Sequence, residues 1–211
     1  MRYNYIAIEG NIGSGKTSLT HRIAEEFNAR TIFERFEDNS FLPKFYKDPD
    51  KYAFPLEMSF LADRYQQLKD ELAKGDLFKS FTIADYFIDK SLIFARNNLQ
   101  SDEFNLYARL FEIINSTLPK PELIVYLYNN IDRVQSNIKK RGRSYEINIT
   151  DNYLEKIQEG YFNYFRQNKL SRVLIIDTQK IDFVENAEDY EKIKRVINKE
   201  YTNGVHRITF L

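Results

Sequence analysis

The chain has no cysteine, which excludes disulfides and thiolate metal sites outright. Its two histidines, His21 and His206, are too few and too scattered for a zinc constellation. It has no excess of either charge, because 31 Lys plus Arg balance 31 Asp plus Glu. A protein whose main partner is duplex nucleic acid usually carries a basic excess that displaces counterions from phosphates, so no nucleic-acid polymer is expected as partner. Any anion bound here must instead meet a local cluster of positive groups. The N-terminus has no signal-peptide-like apolar stretch and no segment is long enough to span a bilayer, so a soluble cytoplasmic protein with no membrane partner is expected. Repeats, linkers and low-complexity segments are also missing, and 211 residues suit one domain, residues 1–211, with a sizeable core. What is plentiful is aromatic: 15 Tyr and 17 Phe exceed what such a core needs, and some of these rings are candidates to line a pocket for a flat ligand.

Five short β-type runs alternate with helical patterns. The runs are Tyr3–Glu9, Arg30–Glu34, Phe81–Asp85, Leu123–Leu127 and Val173–Asp177. Most are almost continuously apolar, as expected of strands covered by helices on both faces of a parallel α/β sheet. Three- and four-residue apolar spacing predicts helices at Lys16–Phe27 and at about 53–74, 85–100, 103–117, 131–140, 151–168 and 186–200. Pro119 and Pro121 fit a break before the fourth strand.

Gly10-Asn11-Ile12-Gly13-Ser14-Gly15-Lys16-Thr17 matches G-x-x-x-x-G-K-[ST] completely, after an apolar strand and at the start of a helix. Glycines let the backbone curl until its N–H groups converge on an anion. The helix N-terminus adds unpaired donors and a partial positive charge. Lys16 is spaced to reach the transferring phosphates of ATP, and the Thr17 hydroxyl to hold Mg²⁺. A phosphate-binding loop alone does not separate kinases from motors or switches. Downstream, Lys139-Lys140-Arg141-Gly142-Arg143 follows the helix after the fourth strand. Two readings are open there: a mobile lid whose arginines neutralise a transferring phosphoryl group, each contributing about 10³–10⁵ in rate, or a solvated basic helix end favoured by the helix dipole.

The opening Ile8-Glu9-Gly10-Asn11-Ile12 and the loop after it resemble the start of the deoxynucleoside kinase family. Arg141-Gly142-Arg143, Glu146 and Tyr153-Leu154-Glu155-Lys156 resemble that family's lid and following helix. Phe45-Tyr46-Lys47-Asp48-Pro49, with Phe54 and Arg64, resembles its substrate-binding region, and Ile176-Asp177 with Asp182-Phe183 its adenine-side loop. The resemblance implies a P-loop NTPase three-layer fold, a five-stranded parallel sheet in the order 2-3-1-4-5 with a short lid. It also implies a homodimer working in nucleotide salvage that transfers the γ-phosphoryl of MgATP to the 5′-hydroxyl of a deoxynucleoside. Glu34 matches the family's general base, with Glu37 and Asp38 close enough to compete for that role. Tyr46 and Glu146 match the grip on the sugar 3′-hydroxyl. Asp182 and Phe183 match the adenine side.

Glu57 and Arg64 share one face of a predicted helix, roughly 10 Å apart along its axis. That is awkward for an ion pair but suits two groups reading edges of one base; the plainer reading is a solvated rim of the apolar face. Many relatives have glutamine at Glu57. A carboxylate only accepts, which suits N1–H and N2–H of guanine or the exocyclic amine of adenine or cytosine, and a purine deoxynucleoside is expected. The family's better-known branch carries Glu-Arg-Ser or Asp-Arg-Ser after the third strand, where this chain has Ala84-Asp85-Tyr86. Asp85 is placed to bind Mg²⁺ or to cap a helix, and Lys90, a turn later, is a candidate for the missing cation. Two other classes compete: a nucleoside monophosphate kinase, disfavoured by the few arginines between Phe41 and Tyr65, and a non-catalytic nucleotide-dependent module, which leaves the lid arginines and Glu34 unexplained.

Overall fold

The computed structural model describes residues 1–36, 39–74 and 78–210. Within them lie strands β1 (Tyr5–Gly10), β2 (Arg30–Ile32), β3 (Thr82–Ala84), β4 (Leu123–Tyr128), β5 (Arg172–Asp177) and β6 (Gly204–Thr209). They form one sheet in the order β2-β3-β1-β4-β5-β6, every pair parallel. The five strands expected from sequence stand in the expected order. The sixth was not foreseen, because β6 pairs only with β5 at the sheet edge and its residues alternate between half-buried and exposed. An edge strand so poorly covered needs no continuous apolar run.

The helices are α1 (Lys16–Phe27), α2 (Leu42–Phe45), α3 (Pro49–Ala73), α4 (Lys90–Asn98), α5 (Ser101–Asn115), α6 (Ile131–Arg141), α7 (Asp151–Gln167) and α8 (Ala187–Ile197). Helix α3 starts earlier than its apolar pattern, because the Asp48 carboxylate accepts from Lys51 N at 3.4 Å and Pro49 fits the first turn. Helix α4 starts later than expected, at Lys90, and an irregular segment 85–89 follows β3 instead. Asp85 therefore caps no helix.

The continuous apolar strands follow from two covered faces. Ile6, Ile8, Val125, Leu127 and Leu174 pack with Leu19 and Ile23 of α1 and Ile193 and Ile197 of α8. Their alternates Ala7, Ile124, Tyr126, Val173 and Ile175 pack with Ile157, Tyr161 and Phe165 of α7. Tyr5, Ile32 and Ala84 carry a third cluster, with Leu61 and Leu68 of α3 and Tyr107 and Phe111 of α5. The carboxyl edge of β1 to β4 is left as the open end of the sheet, where ligands bind in open α/β folds.

Candidate active site

The phosphate loop joins β1 to α1. Gly10, Gly13 and Gly15 have φ of 152°, 80° and 92°. A Cβ on Gly15 would lie 2.7 Å from the Phe183 ring, and one on Gly10 would lie 2.8 Å from Leu127 O and closer still to Ser14. Both positions need glycine on conformation and on space. Asn11 ties the loop down: its Nδ2 donates to Leu154 O at 2.8 Å while its Oδ1 accepts from Ile12 N at 2.9 Å. Ser14 N donates to Asn11 O at 3.1 Å. Lys16 Nζ folds back to donate to Gly10 O at 3.0 Å and Asn11 O at 2.9 Å. Burial, with the Lys90 ammonium nearby, lowers the Lys16 ammonium to about 8.

Asp85 and Glu34 sit beside this loop. Thr17 Oγ1 donates to Asp85 Oδ2 at 2.7 Å, and Glu34 N donates to Asp85 Oδ1 at 2.8 Å. Thr17 and Asp85 thus present adjacent hard oxygens. Among the described residues no cluster of three His, Cys, Asp or Glu could hold a metal by itself. That fits Mg²⁺, which takes one or two protein oxygens and completes its shell with water and phosphate.

Glu34 is held from both sides. Arg64 Nε and an Arg64 terminal nitrogen lie 2.8 and 2.6 Å from Oε1, and Lys90 Nζ lies 2.6 Å from Oε2. Burial raises this carboxyl, but the two cations outweigh it and hold it at about 2. The third Arg64 nitrogen donates to Ser91 Oγ at 2.8 Å, and the guanidinium lies over the Phe60 ring at 4.6 Å. Glu37 and Asp38, the competing acids, lie outside the described residues.

Two cavities meet at this wall. The larger, about 990 Å³, extends from the phosphate loop past Asn137 and Lys140 to Asp182 and Phe183. The smaller, about 120 Å³, runs under α3 and holds Glu57, Arg64, Tyr46 and Glu146. Six rings line it: Phe36, Phe45, Tyr46, Phe60, Phe94 and Tyr153. Part of the aromatic surplus therefore lines this cavity. Lys16, Thr17, Glu34, Asp85, Arg141 and Arg143 line both cavities.

The remaining residues take their places around this pair. Helix α6 ends at Gly142 in the left-handed region, which turns Arg141 and Arg143 back onto Glu146. Arg141 Nε lies 3.1 Å from Glu146 Oε2, a second Arg141 nitrogen also contacts that oxygen, and an Arg143 nitrogen lies 3.4 Å from Oε1. Arg143 also covers the Phe36 ring at 4.1 Å. Tyr46 stacks on Tyr145, centroids 6.2 Å apart. The Asp182 carboxylate is occupied within its own turn, accepting from Val184 N and Glu185 N. Arg22 donates to Phe183 O at 2.7 Å and Arg133 to Ile181 O at 2.7 Å, which fixes that loop against α1 and α6.

Three contributors had no assigned role in the sequence. Glu9 is fully buried and accepts from Tyr161 OH at 2.8 Å, Phe87 N at 3.0 Å and Gly10 N at 3.3 Å. It ties the phosphate loop to the 85–89 segment and to α7, and burial raises its carboxyl. An acid inside an otherwise apolar strand was its signal. Ser91 and Asn98, which hold Arg64 and Glu57 respectively, carry no local signal, because their partners lie on another helix.

The family model described as deoxynucleoside kinase matches residues 6–202. Deoxyguanosine kinase of Bacillus subtilis (strain 168) is 38% identical over 197 residues, spanning 90% of this chain and 93% of that protein. Deoxyadenosine kinase of Lactobacillus acidophilus is 29% identical over 209 residues, spanning 92% and 95%. Among solved structures, deoxyadenosine kinase from M. mycoides with bound dATP superposes with a TM-score of 0.78 at 26% identity, covering 92% of this chain and 99% of that one.

Proposed function

The chain belongs to the deoxynucleoside kinase family and is an ATP-dependent phosphotransferase, and from that premise we propose that its acceptor is a purine deoxynucleoside seated in the smaller cavity. The observation that carries this reading is the shared wall: six residues suited to phosphoryl transfer line both the phosphate-loop cavity and the ring-lined one. A donor in the first and an acceptor in the second would meet there. The Bacillus subtilis and Lactobacillus acidophilus relatives are named for guanine and adenine deoxynucleosides, which agrees with a carboxylate, Glu57, among the rings.

Each residue then has a task. Backbone N–H groups of the loop, those of Asn11, Gly13, Gly15 and Lys16, cradle the donor phosphates while Lys16 leaves its two carbonyls to meet them; those of Gly10, Ile12 and Ser14 keep the loop in shape through Glu9 and Asn11. Thr17 and Asp85 would hold Mg²⁺, which when bound offsets charge on the donor phosphates. Glu34 accepts a hydrogen bond from the 5′-hydroxyl. A carboxylate held at about 2 is a weak base, so it orients the hydroxyl and takes the proton late, once the bond to phosphorus has made that oxygen acidic. Arg64 and Lys90 hold Glu34 in place and supply the positive charge that this chain lacks after Asp85. Arg141 and Arg143 exchange part of their contact with Glu146 for the transferring group. Tyr46 and Glu146 grip the 3′-hydroxyl, a group that both donates and accepts. Asp182 and Phe183 shape the adenine side.

The same reading makes the protein a cytoplasmic, one-domain salvage enzyme working as a homodimer. No helix among the described residues is long and apolar enough to cross a membrane. Leu106 and Ile113, seven residues apart on α5, expose large apolar side chains, as a pairing face would.

Purified protein with MgATP, assayed for ADP release against each deoxynucleoside and adenosine in turn, tests the reading. Turnover of deoxyguanosine or deoxyadenosine well above that of thymidine is expected. Equal turnover of thymidine would remove the purine preference. No turnover of any nucleoside, with ATP still bound, would mean that the acceptor is of another class.

A further inference from the structure

Glu57 is a buried acid without an ion-pair partner among the described residues. It is 1% exposed. Its Oε1 accepts from Asn98 Nδ2 at 2.7 Å, and its Oε2 is buried with no hydrogen-bond partner, on a residue that lines the smaller cavity. Arg64, about two turns further along the same face of α3, is committed elsewhere: its nitrogens hold Glu34 and Ser91. Lys90 is likewise committed to Glu34. The other groups that face Glu57 are the Glu34 carboxylate, which opposes its ionisation, and the phenols Tyr107 of α5 and Tyr153 of α7, both pushed up and therefore neutral. Burial pushes the Glu57 carboxyl up, Arg64 pulls it partly back, and the balance lies at about 7.

We propose that Glu57, steadied by Asn98, selects between purines by its own proton: ionised it takes deoxyguanosine, and protonated it takes deoxyadenosine. The inference rests on the deoxynucleoside kinase reading above. Its chemistry follows from the donor and acceptor inventory. Guanine presents two donors, N1–H and N2–H, along one edge, and an ionised carboxylate offers only acceptors, Oε2 and the second lone pair of Oε1. Adenine presents an acceptor, N1, beside a donor, the N6 amine. A carboxylate would set lone pair against lone pair at N1, whereas a protonated Oε2 donates to N1 and Oε1 accepts from the amine. Asn98 decides which oxygen carries the proton, because its amide donates to Oε1 and leaves Oε2 as the site for hydrogen. Glutamine at this position would offer the donor-acceptor pair at every pH; the carboxyl offers it only when protonated.

The test is the ratio of kcat/KM for deoxyguanosine to that for deoxyadenosine, measured from about pH 6 to about pH 8, where neither base changes its own protonation. Steps common to both acceptors, including those at Glu34 and Lys16, divide out. The expected ratio rises by about tenfold per pH unit through the titration, since it follows the ratio of ionised to protonated Glu57. In Glu57→Gln it is flat and favours deoxyadenosine. In Asn98→Ala the crossover moves to higher pH, because the charged form loses a donor. A flat ratio in the unaltered protein, or a slope that survives in Glu57→Gln, overturns the proposal while leaving the kinase reading intact; loss of all nucleoside turnover would overturn both. A readout that needs no variant is calorimetry of nucleoside binding near pH 7 in two buffers of different ionisation enthalpy. Deoxyguanosine should release protons and deoxyadenosine should take them up; the same proton count for both would also overturn the proposal.

Discussion

At the scale of the residue, Glu34 shows how an acid at a strand end becomes more than a solvated charge. The sequence places it just after β2, and the family resemblance implies for it the role of general base. Two cations from α3 and α4, seated at 2.6 Å, make it a fixed anion at the meeting of two cavities. Glu34→Gln keeps the shape but loses the charge, and should lower kcat by about 10²–10⁴ with little change in KM for the nucleoside. If KM moved and kcat held, the proton acceptor would have to be Glu37 or Asp38. Lys16 supports a second prediction. Its ammonium, brought down to about 8, is largely protonated at neutral pH and neutral well above it. Donor phosphates need the cation, so above about pH 8 binding must take up a proton. KM for MgATP should therefore rise as pH is raised through that value, by up to about tenfold per unit, as initial-rate measurements would register.

At the scale of the element, the lid is the place where sequence left two readings open. Both hold in part. Lys139, Lys140 and Arg141 do complement the C-terminus of α6, and Gly142 then turns Arg141 and Arg143 onto Glu146. The ion pairs keep the arginines at the shared wall, and they also hold Glu146, which in the proposed mechanism grips the acceptor. Arg141→Ala combined with Arg143→Ala should reduce kcat by about 10³ or more and raise KM for the nucleoside, because Glu146 loses its anchors. Full turnover in that double variant would favour the non-catalytic, nucleotide-dependent module instead. Segment 85–89 makes the complementary point. Its residues read as a helix start, yet Asp85 is held by Thr17 and the Glu34 backbone, and Phe87 N by Glu9. Those long-range bonds keep the chain irregular where the site needs a carboxylate at the sheet edge.

At the scale of the whole molecule, two apolar faces on a parallel sheet leave the carboxyl edge open, and the outer helices carry the pairing face of the proposed homodimer. Leu106 is 43% and Ile113 69% exposed among the described residues. Replacing both with lysine should convert a dimer to a monomer in sedimentation velocity and lower the thermal midpoint to a value independent of protein concentration, because association stabilises the folded state by mass action. A protein that sediments as a monomer before substitution would remove the homodimer from the reading.

The sequence by itself determined the phosphate loop, the alternation of strands and helices and, through family resemblance, the order of five of the six strands; it also named the residues proposed for the shared wall. These were legible because each depends on neighbours in the chain: glycine where the backbone must curl, apolar runs where both faces are covered, and a motif whose spacing is its function. Tertiary structure alone decided who holds whom. Arg64, expected to read a base edge, is committed to Glu34; Lys90, a candidate for the missing cation, is its second anchor; Asn98 and Ser91 enter from another helix; and β6 closes an edge that no apolar pattern announced. Such pairings join residues tens of positions apart, and their strength depends on burial and on competing partners, neither of which is written in the local order of the chain.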